Sequence, residues 1–270
     1  MRRILTGTVI AVMCAAAALA QKQPKPKSQK EVDAIIAVQN ATDAKSRIAA
    51  IDNVLTKFAD TEFKPMLLIM GAGTYQQIGD NENMIVWAER ALEADPKSYQ
   101  AMIMLGSAYA SRTKEFDLDK EEKLGKADGY AHKAIDAIKT AEKPNAQLTD
   151  AQWEEAKKDL MAQAHSILGT AALVRKKYDV AITEYKTAVD ASTPPDPATL
   201  VRLSSAYIDA GKYDDAIPLL EKVMATPDAH AQVKSVAQAQ RVRAMQLKAK
   251  AAGPAAAKPA PSGPQPEPVK

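Results

Sequence analysis

Histidines and acidic residues are the first candidates for chemistry in this sequence. The histidines are His132, His165 and His230. They are more than thirty residues apart and show none of the close His pairs typical of a zinc site. The acidic run after Asp117 has the charge of a calcium loop, but Glu122 lies where such a loop needs glycine for its sharp turn. Asp119 with Glu122 three residues later instead matches a helix start signal, so we predict no metal site.

Other patterns of catalysis are missing as well. The sequence has no glycine-rich phosphate loop and no Gly-x-Ser-x-Gly turn of the kind that carries a hydrolase nucleophile. We therefore predict that the protein is not an enzyme and binds no cofactor.

The amino-acid composition indicates which secondary structure the chain forms. The 270 residues are 46% hydrophobic, only 5% aromatic, and include 11 glycines. This mixture favours helices over β-sandwiches or barrels, which need aromatic and β-branched residues and frequent glycine turns. The net charge of +3 is too small for the concentrated basic face of a nucleic-acid-binding protein.

Residues 1–20 have the three parts of a secretory signal peptide. Arg2 and Arg3 precede an apolar stretch, and the small residues Ala18 and Ala20 suit the narrow subsites of a signal peptidase. We predict cleavage after Ala20 and export to the periplasm or the medium, with membrane contact only through this segment. An uncleaved membrane anchor is the alternative. The one cysteine, Cys14, would leave with the signal, and disulfides and thiolate chemistry with it.

Both ends of the mature chain are predicted to be flexible. Residues 21–30 are polar and contain proline, and residues 252–270 form a Pro/Ala-rich tail. Between them, residues 31–251 have few prolines and are predicted to form the folded body.

Two segments of this body match each other at a constant offset of 35 residues. The matched pairs include Leu168 with Leu203, Tyr178 with Tyr213, Ala181 with Ala216, and Ala188 with Val223. Small residues recur where two helices must approach closely, and large ones recur beside them. The spacing predicts tandem pairs of helices.

These repeats resemble the tetratricopeptide repeat (TPR), a helix-turn-helix of about 34 residues that opens with Leu-Gly-x-x-Tyr and ends with proline. Leu105, Gly106 and Tyr109 carry the opening of the motif, and Ala91 and Pro96 carry its ending. The resemblance implies an all-α fold, an α-solenoid in which about five TPR helix pairs form a right-handed superhelix.

The sequence departs from the repeat pattern at three places. Gly71 stands where leucine is usual, residues 111–125 interrupt the third repeat, and the next helix starts early, at Asp150, with Trp153 in its opening turn. Trp153 either covers a neighbouring loop or offers a contact point. After the fifth repeat, residues 232–251 are predicted to form an extra helix that covers the exposed end of the array.

Other aromatic residues raise the question of ligand stacking. Trp87, Tyr130 and Tyr185 coincide with core positions of the second helices, so we interpret them as packing residues rather than as a cofactor site.

The resemblance also implies a binding groove on the first helices. Its candidate residues are Ile69, Gln76, Gln100, Ile103, Ser107, Gln163, Ser166, Thr170, Val201 and Ser205. These residues are small, amide-bearing or aliphatic, and none is charged. The Lys, Asn and Arg clamp with which some family members hold a C-terminal carboxylate is therefore not expected.

The leading functional prediction is a non-catalytic, exported TPR scaffold that mediates protein–protein interaction or assembly in the bacterial cell envelope. Its partner would be a protein or a peptide segment with an apolar stripe, not a nucleic acid. The alternative is a small-ligand-binding or enzyme-accessory protein that uses the 111–125 insertion and the Trp153 helix. Assembly of the chain into its own oligomers is a third possibility.

Overall fold

The computed structural model describes residues 24–145, 147–192 and 194–252, and these contain eleven helices and no strand. The helices are α1 (Gln29–Asn40), α2 (Ala44–Lys57), α3 (Lys64–Gln77), α4 (Asn81–Ala94), α5 (Tyr99–Arg112), α6 (Lys120–Thr140), α7 (Asp150–Val174), α8 (Tyr178–Ala191), α9 (Pro197–Asp209), α10 (Tyr213–Ala225) and α11 (Ala231–Ala251). The predicted all-α fold is confirmed. The predicted signal peptide and most of the predicted tail lie outside the described residues.

The helices follow one another along the chain as pairs joined by short connections. Ten of them form five consecutive pairs, from α1 with α2 to α9 with α10, and α11 comes last. From α1 to α5, and again from α8 to α11, each helix packs against the next one in sequence. None of the helices in the described part of the chain is long and apolar enough to cross a membrane.

The chain divides into two compact units. Within the described residues, unit 1 consists of residues 24–112 and 121–164, and unit 2 of residues 113–120 and 165–252. The boundary between the units falls within α7. Residues of α7 up to Ala164 belong to unit 1, and those from His165 belong to unit 2.

The core of unit 1 is aliphatic with one large aromatic ring. Its fully buried side chains include Ile51, Val54, Leu67, Leu68 and Leu105. Trp87 of α4 is buried among them and lies beside Tyr75, with 5.5 Å between ring centroids. The small residues Ala72, Ala88 and Ala91 let α3 and α4 approach each other closely.

The core of unit 2 has the same composition. One cluster surrounds Tyr185 and includes Ala181, Leu203 and Ala206. A second cluster lies between α9, α10 and α11 and includes Leu200, Leu220, Val223, Ala237 and Ala244. Packing is therefore the role of Trp87 and Tyr185, as predicted. Tyr130, in unit 1, is half-buried and stacks on Tyr109 at 6.1 Å.

The segment predicted as an insertion is only partly a loop. α5 continues to Arg112 and α6 begins at Lys120, so residues 120–125 are an additional stretch at the start of a helix of 21 residues. Only residues 113–119 lie outside helices. α6 starts directly after Asp119, where the sequence predicts a helix cap.

Residues 24–30, the described part of the predicted flexible leader, form contacts with residues between α2 and α3. Ser28 caps α1 by accepting a hydrogen bond from the Glu31 N–H. The Lys25 N–H donates to the Glu62 carboxylate at 3.0 Å, and Lys27 Nζ forms an ion pair with Asp60 at 2.5 Å. No local pattern indicates these contacts, because the partners lie more than thirty residues away in sequence.

Candidate protein-binding surfaces

All ten predicted groove residues lie on the first helices of their pairs. In unit 1 they are Ile69 and Gln76 on α3, Gln100, Ile103 and Ser107 on α5, and Gln163 on α7. In unit 2 they are Ser166 and Thr170 on α7 and Val201 and Ser205 on α9. The two sets belong to different units and are described separately.

The unit 1 set presents amides to solvent. Gln76, Gln100 and Gln163 are exposed, whereas Ile69 and Ser107 are half-buried. Ile103 is only 8% exposed and belongs to the interior more than to a surface. Met66, one helical turn before Ile69, is 42% exposed and adds apolar area.

The unit 2 set is more closed. Val201 is 8% exposed and packs in the cluster between α9 and α11. Ser205 donates its hydroxyl proton to the Val201 carbonyl at 3.0 Å. Thr170 donates to the Ser166 carbonyl at 2.8 Å and lies 2.9 Å from the Tyr185 hydroxyl. These hydroxyl groups already form hydrogen bonds within the protein, so they are less available to a ligand than the amides of the unit 1 glutamines.

A hydrogen bond fixes the Tyr185 ring in unit 2. Because the Thr170 hydroxyl has one proton and directs it to the Ser166 carbonyl, it accepts the proton of the Tyr185 hydroxyl. Burial raises the pKa of Tyr185 above its ordinary value, because the charged phenolate is poorly solvated there.

One histidine has a partner that the sequence does not reveal. His165 Nδ1 lies 2.8 Å from a carboxylate oxygen of Glu184, and both side chains are about one-fifth exposed. The pair joins α7 to α8 across 19 residues of sequence, with no local spacing that would indicate it. Among the residues that the structure describes, no group of three or more metal-ligating side chains comes together.

Trp153 covers part of unit 1 rather than offering a contact point. It is 6% exposed, and its ring nitrogen donates to the Ala141 carbonyl at 3.2 Å. Tyr99 lies against it, with 6.5 Å between ring centroids. Since both its face and its N–H are already used, the ring is not available for stacking on a small ligand.

Two exposed apolar features in unit 2 were missed by the sequence analysis. Phe116 and Leu118 lie in the segment between α5 and α6 and are 88% and 107% exposed. Val242 and Met245 lie on α11 and are 41% and 47% exposed. The alternation of apolar and acidic residues from Glu115 to Asp119 was the available signal, but it does not tell a half-buried strand from an exposed loop.

Comparison with known proteins agrees with the helix pairs. The family model of the tetratricopeptide repeat matches residues 69–98 and 197–225, which correspond to α3 with α4 and α9 with α10. No curated protein matches the chain in sequence.

Solved structures resemble the chain in fold. A thermophilic TPR protein of Thermus thermophilus, TTC0263, superposes with a TM-score of 0.51 at 16% identity, over 81% of this chain and 95% of that one. PilW, described as a widely conserved type IV pilus biogenesis factor, superposes with a TM-score of 0.58 at 15% identity, over 83% of this chain and 90% of that one. At these identities the likeness shows the α-solenoid class of fold and nothing more.

Proposed function

We propose that this tetratricopeptide repeat protein is a non-catalytic scaffold that binds a protein segment on the first helices of its repeats. The observation that carries the proposal is a set of exposed amides in unit 1, those of Gln76, Gln100 and Gln163, each on the first helix of a pair. Each amide has donors and an acceptor and can bond to the backbone of an extended peptide or to polar side chains of a helix.

The chemistry of these positions also describes the partner. Met66 and Ile69 supply apolar area on α3, before the amide of Gln76, and no predicted groove residue carries a charge. A bound segment would therefore have an apolar stripe flanked by hydrogen-bonding groups. Because no charged pair would form, the affinity should change little between low and high salt.

Site-specific crosslinking in the native host tests this proposal. A photoreactive residue placed at Gln76, Gln100 or Gln163 should give adducts with the same partner, identified by mass spectrometry. Matched controls at Lys133 and Lys222, exposed residues on second helices, should give none of that partner. Adducts that are equally frequent at the control positions would contradict the proposed surface.

We further propose that the scaffold works in the bacterial cell envelope. Support comes from residues 1–20, whose basic, apolar and small-residue parts are typical of an export signal. The name of PilW associates that protein with pilus biogenesis, but for this chain it is analogy at the level of the fold.

Mass spectrometry of the protein purified from a cell-envelope fraction tests export. The expected mature chain begins at Gln21. Leucine at both Ala18 and Ala20 should block cleavage and leave a precursor that still begins with the signal. Recovery of the wild-type chain with residues 1–20 intact would favour the uncleaved anchor, and recovery from the cytoplasmic fraction would contradict export.

A further inference from the structure

The loop between α5 and α6 holds two large apolar side chains in water. We call residues 113–119 the tip loop. Phe116 is 88% exposed and Leu118 is 107% exposed, the two most exposed large apolar residues in the described chain. Apolar side chains left in water lose the stabilisation that burial would give them, so such a pair in one loop indicates a contact surface.

Hydrogen bonds hold the tip loop in one conformation. The Lys114 N–H donates to the Asp117 carboxylate at 3.0 Å, and the Asp117 N–H donates to the Lys114 carbonyl at 3.2 Å. Glu115 forms an ion pair with Lys176 at 2.5 Å, which ties the loop to the turn after α7. A loop ordered in advance loses little conformational entropy when its side chains are buried by a partner.

A second apolar surface lies on the outer side of α11. The inner side of this helix packs through Ala237, Ala244 and the half-buried Val233 and Leu247. On the opposite side, Ala239, Val242, Met245 and Ala249 are exposed, and we call these four residues the end face. The last helix of a stacked array normally has a polar outer side that keeps the array soluble, so exposed valine and methionine there are unexpected.

The two surfaces carry opposite charge. The tip loop has three acidic residues and one lysine, and one of these acids, Glu115, pairs with Lys176. α11 has five lysines and arginines and no acidic residue. Three of these cations pair with acids of α9 and α10: Arg241 with Glu221, Arg243 with Asp209, and Lys248 with Asp214. Lys234 and Lys250 leave the helix with an excess of positive charge.

The two surfaces are also at different places within unit 2. The tip loop is tied to Lys176, in the turn between α7 and α8. α11 packs on α9 and α10. One molecule can therefore present its tip loop to the end face of a second molecule while its own end face stays available.

We propose that the chain associates with itself head to tail, with Phe116 and Leu118 of one copy packed against Val242 and Met245 of the next. The acidic tip loop meets the basic helix α11, and their opposite charges set the orientation. This contact lies outside the proposed partner-binding surface of unit 1. A loop against one helix face is small beside the interfaces of stable dimers, so the association is weak and visible only at high concentration.

Light scattering of the purified full chain, coupled to gel filtration, tests the contact. Over about 10 µM to 1 mM, the range in which weak contacts become populated, the average mass should rise with concentration. The tip variant, Phe116→Ser with Leu118→Ser, and the end variant, Val242→Glu with Met245→Glu, should each remain at the monomer mass. A 1:1 mixture of the two variants should form a dimer and nothing larger, because it restores one intact tip and one intact end.

A matched control and the contrary outcomes make the test decisive. Val180→Ser removes another exposed apolar residue of unit 2, 50% exposed on α8, and should associate as the wild type does. A wild type that stays monomeric, or a mixture that gives no dimer, would overturn the proposal. So would a monomer that binds phosphatidylcholine vesicles through Phe116 and Leu118, since the tip loop would then be a membrane contact.

Discussion

At the scale of single residues, each unit has a glycine whose Cα packs directly against a large aromatic ring. A Cβ atom added to Gly71 would lie 2.2 Å from Cε3 of Trp87, and one added to Gly169 would lie 2.8 Å from the Tyr185 ring. Sixteen residues separate glycine and ring in both pairs. Gly71 is the position where the repeat pattern expects leucine. The Trp87 ring fills the space of that missing side chain, which explains the departure.

The substitution Gly71→Ala should destabilise unit 1. The added methyl group overlaps a ring that is buried on all sides, and overpacking of this kind costs about 1–3 kcal/mol. Gly73→Ala on the same helix is the matched control: nothing lies within 4 Å of its added Cβ, so alanine should stabilise the helix by about 0.5–1 kcal/mol. Urea unfolding measures both values. Equal effects of the two substitutions would contradict the packing account.

Tyr185 should make the stability of the protein fall at high pH. Burial raises the pKa of its hydroxyl above the ordinary value of 10.0, so the folded state resists ionisation that the unfolded chain accepts. The contribution of neutral Tyr185 to the free energy of unfolding is complete below pH 10 and is lost as the pH rises towards its pKa in the folded state. Urea unfolding between about pH 9 and pH 11.5 should show a shallower fall for Tyr185→Phe than for the wild type.

Thr170→Val is the control for this effect. It removes the hydrogen-bond partner of Tyr185 but leaves the ionisable group in place, so the fall with pH should persist. The other tyrosines with pKa values raised by burial are Tyr75, Tyr99, Tyr109 and Tyr130. Because they remain in every variant, part of the fall in stability with pH should remain in every variant as well.

At the scale of elements, three helix pairs close with the same turn. Gly79, Lys176 and Gly211 have φ angles of 77°, 61° and 75°, in the left-handed region. In each turn the next residue donates its N–H to the carbonyl five residues earlier, as Lys177 does to Ala172 at 2.9 Å. This is the Schellman arrangement that ends many helices, and glycine is its usual residue because a Cβ is strained there.

Lys176→Gly should therefore stabilise the turn between α7 and α8. Relief of the left-handed strain outweighs the loss of the exposed ion pair with Glu115, and the melting temperature should rise by about 2–4 °C. Gly211→Ala is the reciprocal control and should destabilise its turn by about 1 kcal/mol. A lower melting temperature for Lys176→Gly would show that the ion pair with Glu115 stabilises the fold by more than the left-handed backbone conformation destabilises it.

A buried carboxylate ties the start of α1 to the segment between α2 and α3. Glu31 is 1% exposed and accepts hydrogen bonds from the Thr61 hydroxyl and the Lys27 N–H, both at 2.6 Å. Glu31→Ala leaves these donors without an acceptor and should cost about 1–3 kcal/mol by urea unfolding. Glu62→Ala, at an exposed residue, should change stability by less than about 0.5 kcal/mol. Similar losses for the two would mean that Glu31 is only a surface tether.

Local pattern predicted the helices but not their long-range contacts. The 35-residue offset between Ala181 and Ala216 indicates helix pairs because small residues must recur wherever two helices touch. The ties of Lys27 and Glu31 join residues about thirty positions apart and follow no repeat. The prediction of groove residues has the same weakness. Periodicity places Ile103 and Val201 on first helices, but their burial depends on neighbouring side chains that periodicity does not specify.

At the scale of the whole molecule, a stacked array has ends, and the last helix decides how one end meets water. Each helix pair buries its apolar side against the next pair, so the final pair needs a cover. In unit 2 this cover is α11, whose Ala237 and Ala244 pack in the cluster of Leu220 and Val223. The inner side of α11 therefore has a structural role that is separate from the association proposed for its outer side.

Removal of α11 should expose this cluster and destabilise unit 2. A chain that ends at His230 leaves Leu200, Leu220 and Val223 open to water, and loss of several kcal/mol of burial should lower the melting temperature by about 10 °C or more. A chain that ends at Ala252 is the control and should melt as the full chain does. Circular dichroism and light scattering measure the two variants, and aggregation is expected for the shorter one because its exposed apolar surface is contiguous. If the chain ending at His230 melts unchanged, α10 does not depend on a cover. The end face would then belong to a helix held at the end of the array for association alone.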